Sequence, residues 1–589
     1  MRPGCFNTGE GPAGGSAGKD EAVSAPIARS TAMRCLLLSS HPTAERAAAL
    51  RAIAGHPEAT VVESGTARPD PRRFDVVVLD SSVPLDSGWV EDLVAAVEVG
   101  TRALIFAEAG FDFRSFEHAG LSPISTAAAL PEGEWMAKVA NPDHPATRRA
   151  PAETALWDRP LALMLTGSWD PVVNVNVALR DHCLVADHPF GEGRMAVSGL
   201  GRHPGSLHSV FLQTTLRRLL SFRPDVPNER PLGMAIVGYG PYGGMGLYHG
   251  MAAEATQGLE LVAVCDSQPE RRKAAERDFA GVRTYGTLNE LASDPDVDVA
   301  VVATPPSSHV TISLDLLRAG KHVACEKPLC FTVAEADLLE ATATGAGVSL
   351  TVNQNRRWDP DFLAVKRVVE SGSLGQVFNF ETFVGGFEHP CRAWHSDAAV
   401  SGGAIYDWGS HYVDWTLQLM QSSPSVVRAT GQKRVWHDVT NLDQVRVHML
   451  WDDGREAEFV HSDVAAVRRP KFYLQGTAGT LSGHYRPLRF ERLAPGTGYE
   501  AEAAHHAEAP VDLVLSRYEP SYGLVETVLP PAPPQRFAFH RNLADHLHFD
   551  EPLAVTVRSV RSVVAVLEAA TESAGKRGAT IVVPGTSSS

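Results

Sequence analysis

Leu232–Gly243, LGMAIVGYGPYG, decides the fold. The apolar run LGMAIV reads as a buried strand, and Gly238, Gly240 and Gly243 follow it in G-x-G-x-x-G spacing ahead of a helix-like segment. Gly238 permits a tight turn, Gly240 lets a pyrophosphate approach the backbone, and Gly243 allows helix and strand to pack closely, with phosphates over the helix N-terminus. The spacing alone also fits a structural glycine turn. Asp266 tips the reading, because it closes the next apolar run 26 residues past Gly240, where a carboxylate accepts hydrogen bonds from ribose hydroxyls; its alternative is a helix cap. Asp266 repels a 2′-phosphate whereas Arg271 and Arg272 attract one, and the balance favours NAD over NADP.

Downstream, ELVAVCD, VDVAVVATP, KHVACEKP and SLTVNQN alternate with helical segments, so 232–355 reads as a Rossmann dinucleotide-binding domain. Beyond it QVFNFETFVG, SVVRATGQKRV, DQVRVHMLWDD, REAEFVHSD and KFYLQGTAGTLSG read as long strands joined by turns. They make 356–583 an α+β domain with a large, mostly antiparallel sheet. Upstream, RCLLLSS, ATVVES, FDVVVLDS, TRALIFAE, LALMLTG, NVNVALR and RMAVSGL alternate with helices over Ala44–Ala54, Gly88–Val99 and Val210–Leu220. The pattern predicts a parallel-sheet α/β domain over 33–222. Three prolines in 223–231 mark a linker. Residues 1–32, rich in Gly, Ala and Ser, read as a disordered leader, and 584–589 as a tail.

Composition excludes several classes. The 589 residues carry a net charge of −16, which disfavours nucleic acid and anionic membranes. No apolar run reaches the roughly 20 residues of a membrane helix and no secretory signal opens the chain, so the reading is cytoplasmic. Seven cysteines without C-x-x-C spacing indicate neither a disulfide framework nor structural zinc.

Two segments carry chemistry. Lys327, in ACEKP, closes a strand where a doubly wound sheet binds ligands; a lysine there donates to a hydroxyl or ketone oxygen, unless it is merely a solvated charge. Asp407, His411 and Asp414 are spaced i, i+4, i+7, on one face of a predicted helix introduced by Gly402 and Gly403. Histidine suits the exchange of an alcohol proton. A buried polar face and a metal pair, with His395 and Asp397 nearby, are the alternatives; no third ligand is obvious, and the reading assigns no metal.

Together these residues resemble the Gfo/Idh/MocA oxidoreductases over about 232–583. The pattern comprises Gly238, Gly240, Gly243, Asp266, ATPPSSH (303–309), EKP (326–328), NRRWDP (355–360) and the glycine-led run 402–414. The resemblance implies Lys327 and His411 as catalytic residues and Asp407 as a positioner of substrate. It implies Thr304, Pro305 and Glu326 around the nicotinamide, with His309, Asn355 and Arg271 in the cofactor set. It further implies a sugar or cyclitol substrate and a homo-oligomer formed through the open face of the C-terminal sheet. A transient-redox glycosidase or lyase, and a sugar- or dinucleotide-sensing protein, are the other readings. NPDHPATR (141–148) and PFGEGRMAVSGLG (189–201) resemble a trehalose-utilisation-type domain, with a class I glutamine-amidotransferase-like fold. Glutamine hydrolysis is not expected, because no cysteine follows RALIFAE. His41, His144 and His203 are candidate sugar-pocket groups, each more often structural. The two resemblances together imply a sugar 3-dehydrogenase coupled to 3-keto-sugar processing.

Overall fold

The computed structural model describes residues 34–584 apart from 40–48, 51–52, 54–59, 64–68, 81–84, 109–112, 143, 148–149, 204–205, 208, 221–229, 241–243, 392, 487–510, 533 and 550. The leader, most of the linker, the tail beyond residue 584, His41 and Gly243 lie outside the described residues.

Six parallel strands follow the linker, in the order Arg283–Tyr285, Leu259–Cys265, Leu232–Val237, Val299–Val302, His322–Cys325, Leu350–Val352. The order runs outward both ways from Leu232–Val237, so a crevice opens at the carboxyl ends of that strand and Val299–Val302. Local signals start the intervening helices: Pro269 opens Pro269–Asp278, and Thr332 with Glu335 forms a capping box on Val333–Ala346. Strand alternation sorts the core into two layers. Met234 and Ile236 face Phe539, Leu543 and Ala544, whereas Ala235 and Val237 face Val557, Val560 and Val564. Helices Ala538–Phe549 and Val557–Gly575, from the far end of the chain, therefore return to complete the Rossmann layers.

The next sheet has nine strands, antiparallel except where Val377–Gly385 lies beside Glu456–Ser462. KFYLQGTAGTLSG, expected as one long strand, is a hairpin of Phe472–Gly476 and Gly479–Tyr485. One face of the sheet packs on helices Pro360–Glu370, Gly409–Met420 and Val557–Gly575, where Phe362 and Trp415 stack with centroids 4.9 Å apart. The other face is open, because buried and exposed residues alternate along Val426–Gln432 and Gln444–Leu450.

The N-terminal sheet corrects the parallel-sheet expectation. Thr60–Glu63, Cys35–Ser39, Val76–Asp80, Arg102–Phe106 and Gly193–Ser198 are parallel neighbours. Beyond Gly193–Ser198 the sheet turns antiparallel, through Arg180–Phe190, Asp170–Val177, Gly133–Val139 and Glu153–Asp158. The reason is connection length. Ala178 and Leu179 alone join two of these strands, with φ of 49° and 66°, and a two-residue loop can only make a hairpin. That turn usually holds Asn-Gly or Asp-Gly, so Ala-Leu gives no signal for it.

Charged pairs fasten the halves together. Arg217 and Arg218, on helix Val210–Leu220, reach Glu551 at 2.5 and 3.2 Å; Arg218 also meets Asp545 at 2.9 Å, and Arg367 meets Glu134 at 2.9 Å. A cleft lined in part by Trp157, Trp358 and Arg541 lies beside this seam and apart from the Rossmann crevice.

Candidate active site

Gly238 ends the first Rossmann strand at φ 98°, and a Cβ there would stand 2.8 Å from the Ala303 carbonyl oxygen. Only glycine fits such a turn. Beside Gly240 the nearest group is the Arg271 guanidinium, 3.4 Å from where a Cβ would stand. Asp266 is buried at the end of Leu259–Cys265; its carboxylate accepts from the Tyr239 N–H at 2.8 Å and the Gln268 N–H at 2.9 Å, and Arg271 lies 3.6 Å away. Arg272 instead turns back to donate to the Asp266 carbonyl at 2.6 Å. Arg271 is therefore the guanidinium beside Gly240 and the Asp266 carboxylate.

Thr304 and Pro305 follow strand Val299–Val302 and are tied by Ser308 Oγ, 2.8 Å from Thr304 Oγ1 and 2.7 Å from the Pro305 carbonyl. His309, expected in the cofactor set, is fully buried behind this loop, with ring nitrogens 2.7 Å from the Thr304 carbonyl and 2.8 Å from the Pro328 carbonyl. It staples two strand ends, and burial lowers its pKa. Asn355 opens the short helix Asn355–Trp358. The asparagine that meets Glu326 is Asn353, fully buried, with Nδ2 donating to Glu326 Oε1 at 2.7 Å. Sequence reasoning missed it, although it sits at the end of SLTVNQN, itself a strand end.

Lys327 Nζ donates to Asp407 Oδ1 at 2.7 Å and to the Asp407 carbonyl at 3.0 Å. Asp407 and His411 do not share one regular helix: Gly403–Asp407 ends at Asp407 and Gly409–Met420 begins after Trp408. His411 is buried. Burial first, then the Lys327 and Arg356 charges, hold its pKa well below the usual imidazole range, and its Nδ1 has no hydrogen-bond partner. A neutral ring can take a proton. Asp414, expected beside His411, is engaged elsewhere, with its carboxylate 2.5 and 2.8 Å from the Arg357 guanidinium.

Two further imidazoles border the ion pair. His395 stacks on Trp394 with centroids 3.6 Å apart, and burial lowers its pKa against the pull of Asp407. His461 was missed from sequence. Burial opposes its charge, but Asp463, 3.3 Å from Nε2, and Asp407 raise its pKa. Asp397 caps Ala398–Ser401 by accepting from the Ala399 N–H. Among the described residues no group of three or more His, Cys, Asp or Glu could hold a metal ion, and no helix is long and apolar enough to cross a membrane.

In the N-terminal half, buried His144 accepts from the Ala146 N–H at Nδ1 and meets Asp187 at 3.1 Å through Nε2. The backbone N–H of His203 donates to Asp158 at 2.8 Å. Both sit in the framework of that half.

Residues 232–354 match the model described as Oxidoreductase family, NAD-binding Rossmann fold, and 362–482 match the GFO/IDH/MocA C-terminal domain. These two stretches match the two domains of the Gfo/Idh/MocA oxidoreductases. This part of the chain is similar to the scyllo-inositol 2-dehydrogenase (NADP(+)) IolW of Bacillus subtilis, 26% identical over 351 residues, which are 58% of this chain and 94% of that protein. It is also similar to the inositol 2-dehydrogenase of Rhizobium meliloti, 27% identical over 289 residues, 48% of this chain and 83% of that one. A solved NAD-binding protein from Listeria innocua has a TM-score of 0.52 at 28% identity, covering 60% of this chain and 98% of its own. The protein is an oxidoreductase that uses a nicotinamide dinucleotide. The crevice fits that group: the φ 98° turn at Gly238 opens it, Gly240 has only the Arg271 side chain beside it, and the Asp266 carboxylate is buried at the end of the neighbouring strand.

Proposed function

We propose that the enzyme moves a hydride between the nicotinamide and a secondary alcohol or ketone of a sugar, sugar derivative or cyclitol. The observation that carries this reading is the Lys327–Asp407 pair at 2.7 Å with neutral, buried His411 beside it, at the carboxyl edge of the Rossmann sheet. The inositol dehydrogenases among its relatives support the substrate class. The bound nicotinamide supplies hydride acceptance and return. His411 takes the hydroxyl proton as general base. Lys327, aimed by Asp407, donates to the same oxygen and stabilises the charge that develops on it. His395 and His461, flanking Asp407, provide polar groups for neighbouring hydroxyls. Ketone reduction uses the same residues in reverse. In the cofactor crevice Thr304, Pro305 and Glu326 border the nicotinamide, and Asp266 takes the ribose hydroxyls.

NAD is the preferred cofactor in this reading, with Arg271 leaving room for NADP. We place the enzyme in the cytoplasm and its homo-oligomer contact on the open face of the nine-stranded sheet. The N-terminal half is assigned to the trehalose-utilisation type, supported by the hydrogen bond between His144 of NPDHPATR and Asp187 of the strand leading into PFGEGRMAVSGLG. Such a fusion raises the local concentration of a shared 3-keto intermediate.

Absorbance at 340 nm with NAD+ or NADP+ against inositols, hexoses and disaccharides tests the reading, with Lys327→Ala as control. Turnover on one class, lost in the variant, is the expected result. Turnover that survives Lys327→Ala overturns the mechanism, and silence across alcohols and the matching ketones overturns the substrate class.

A further inference from the structure

Behind Glu326 two imidazoles stand in line. His249, on helix Met245–Ala255, sets Nε2 2.9 Å from Glu326 Oε1 and Nδ1 2.8 Å from Nε2 of His540, on helix Ala538–Phe549. Both rings are 0% exposed. The rings of Tyr248, Phe537 and Phe539 surround His540 with centroids 5.8, 6.1 and 5.3 Å away, keeping this line of bonds dry. His540 lies outside both stretches matched to the family, 232–354 and 362–482.

The proton at Glu326 can be placed. Burial opposes the charge on Glu326, but the bonds from His249 and Asn353 and the nearby Lys327 charge keep its pKa low, so it is a carboxylate. A carboxylate only accepts, which makes His249 Nε2–H the donor. One proton bridges His249 Nδ1 and His540 Nε2. Burial first, then His249 and Arg541, hold the His540 pKa well below the usual imidazole range, and its Nδ1 is buried without a hydrogen-bond partner. The line of bonds ends on Glu326 Oε1.

We propose that His540, acting through His249, holds Glu326 ionised and aimed, and thereby sets how much more tightly the protein binds the oxidised nicotinamide than the reduced one. The proposal rests on the reading that Glu326 borders the nicotinamide. A fixed anion in a water-poor site attracts the cationic oxidised ring and gains nothing from the neutral reduced ring. His249 and His540 are positioning residues, since neither reaches the crevice.

Calorimetric titration of the full chain with NAD+ and with NADH, without substrate, reads the ratio of the two Kd values. His540→Phe keeps a ring but removes the hydrogen-bond partner of His249, and should weaken NAD+ relative to NADH by about tenfold, as the loss of one charge-assisted link implies. His540→Gln restores a hydrogen-bonding group and should bring the ratio back to within about twofold of wild type. His540→Leu repeats the measurement if the phenylalanine variant does not fold. Equal loss of both affinities, or an unchanged ratio while Glu326→Gln shifts it, overturns the role of His540. A ratio that does not move even in Glu326→Gln shows instead that Glu326 does not border the nicotinamide, and the proposal falls with that reading.

Discussion

Asp158 and Asp407 stand in the two halves of one chain, each at the end of a secondary-structure element. Asp158, in the N-terminal half, is 0% exposed and accepts from the backbone N–H groups of Arg159, Gly201 and His203 at 2.7, 2.7 and 2.8 Å. Asp407 has a side chain 32% exposed and holds a lysine at 2.7 Å that can turn toward a ligand. Three fixed backbone donors make a carboxylate part of the framework. One lysine cation beside a buried histidine is what the proposed reaction requires of it. The same contrast runs between His144, bonded at both ring nitrogens, and His411, with one ring nitrogen open.

The sharpest way to break this comparison is Lys327→Ala. Removing the group that stabilises charge on the reacting oxygen should lower kcat/KM by about 10³-fold, with an unchanged melting curve and NAD+ affinity within about threefold by calorimetry. Normal turnover would return Asp407 to the framework class. Asp158→Ala should do the opposite. Stranding three backbone donors should destabilise the protein by about 3 kcal/mol, read from urea unfolding, while kcat at 20 °C stays within about twofold. A lost kcat at unchanged stability would place a reaction site in the N-terminal half.

Acid should lower stability by the next largest amount. The pKa values of His309, His411 and His540 are all lowered, chiefly by burial. Unfolding frees each ring to bind a proton below its unfolded pKa of about 6.5, so the unfolded state gains protons and stability falls as pH falls. The slope is about 1.4 kcal/mol per pH unit for each ring. His461, with its raised pKa, works in the other direction, and its contribution is lost as pH rises through the folded value. Urea midpoints at pH 7.5 and 5.5 check this, and an unchanged midpoint would mean that the three rings protonate in the folded state. The smallest effect is expected at the ribose end: Arg271→Ala should reduce NADP+ affinity by about fivefold and leave NAD+ within about twofold, by calorimetry, since one exposed charge contributes about 1 kcal/mol.

Legibility followed the range of the interactions. Gly238, Asp266, Lys327 and five of the six Rossmann strands could be read because each depends on a local backbone conformation or an apolar period within one element, whereas the three-residue strand Arg283–Tyr285 is too short to show one. The antiparallel half of the first sheet could not, because its deciding turn is Ala178-Leu179. Asp414 misled, since helical spacing places it near His411 but gives no account of Arg357, 57 residues earlier in sequence.

By itself the sequence determined where five of the six strands of the Rossmann sheet run, that a glycine turn ends the first of them, and which lysine follows the fifth. Those follow from short-range sterics and from burial on both faces of a parallel sheet. Tertiary structure alone decided that Asn353 and His249 reach Glu326, that His461 stands by Asp407, and that a helix near the end of the chain completes a layer begun at Leu232. His249 and His540 are 291 residues apart in the chain and 2.8 Å apart in space. Nothing periodic connects them, and only the packing of the layers brings them together.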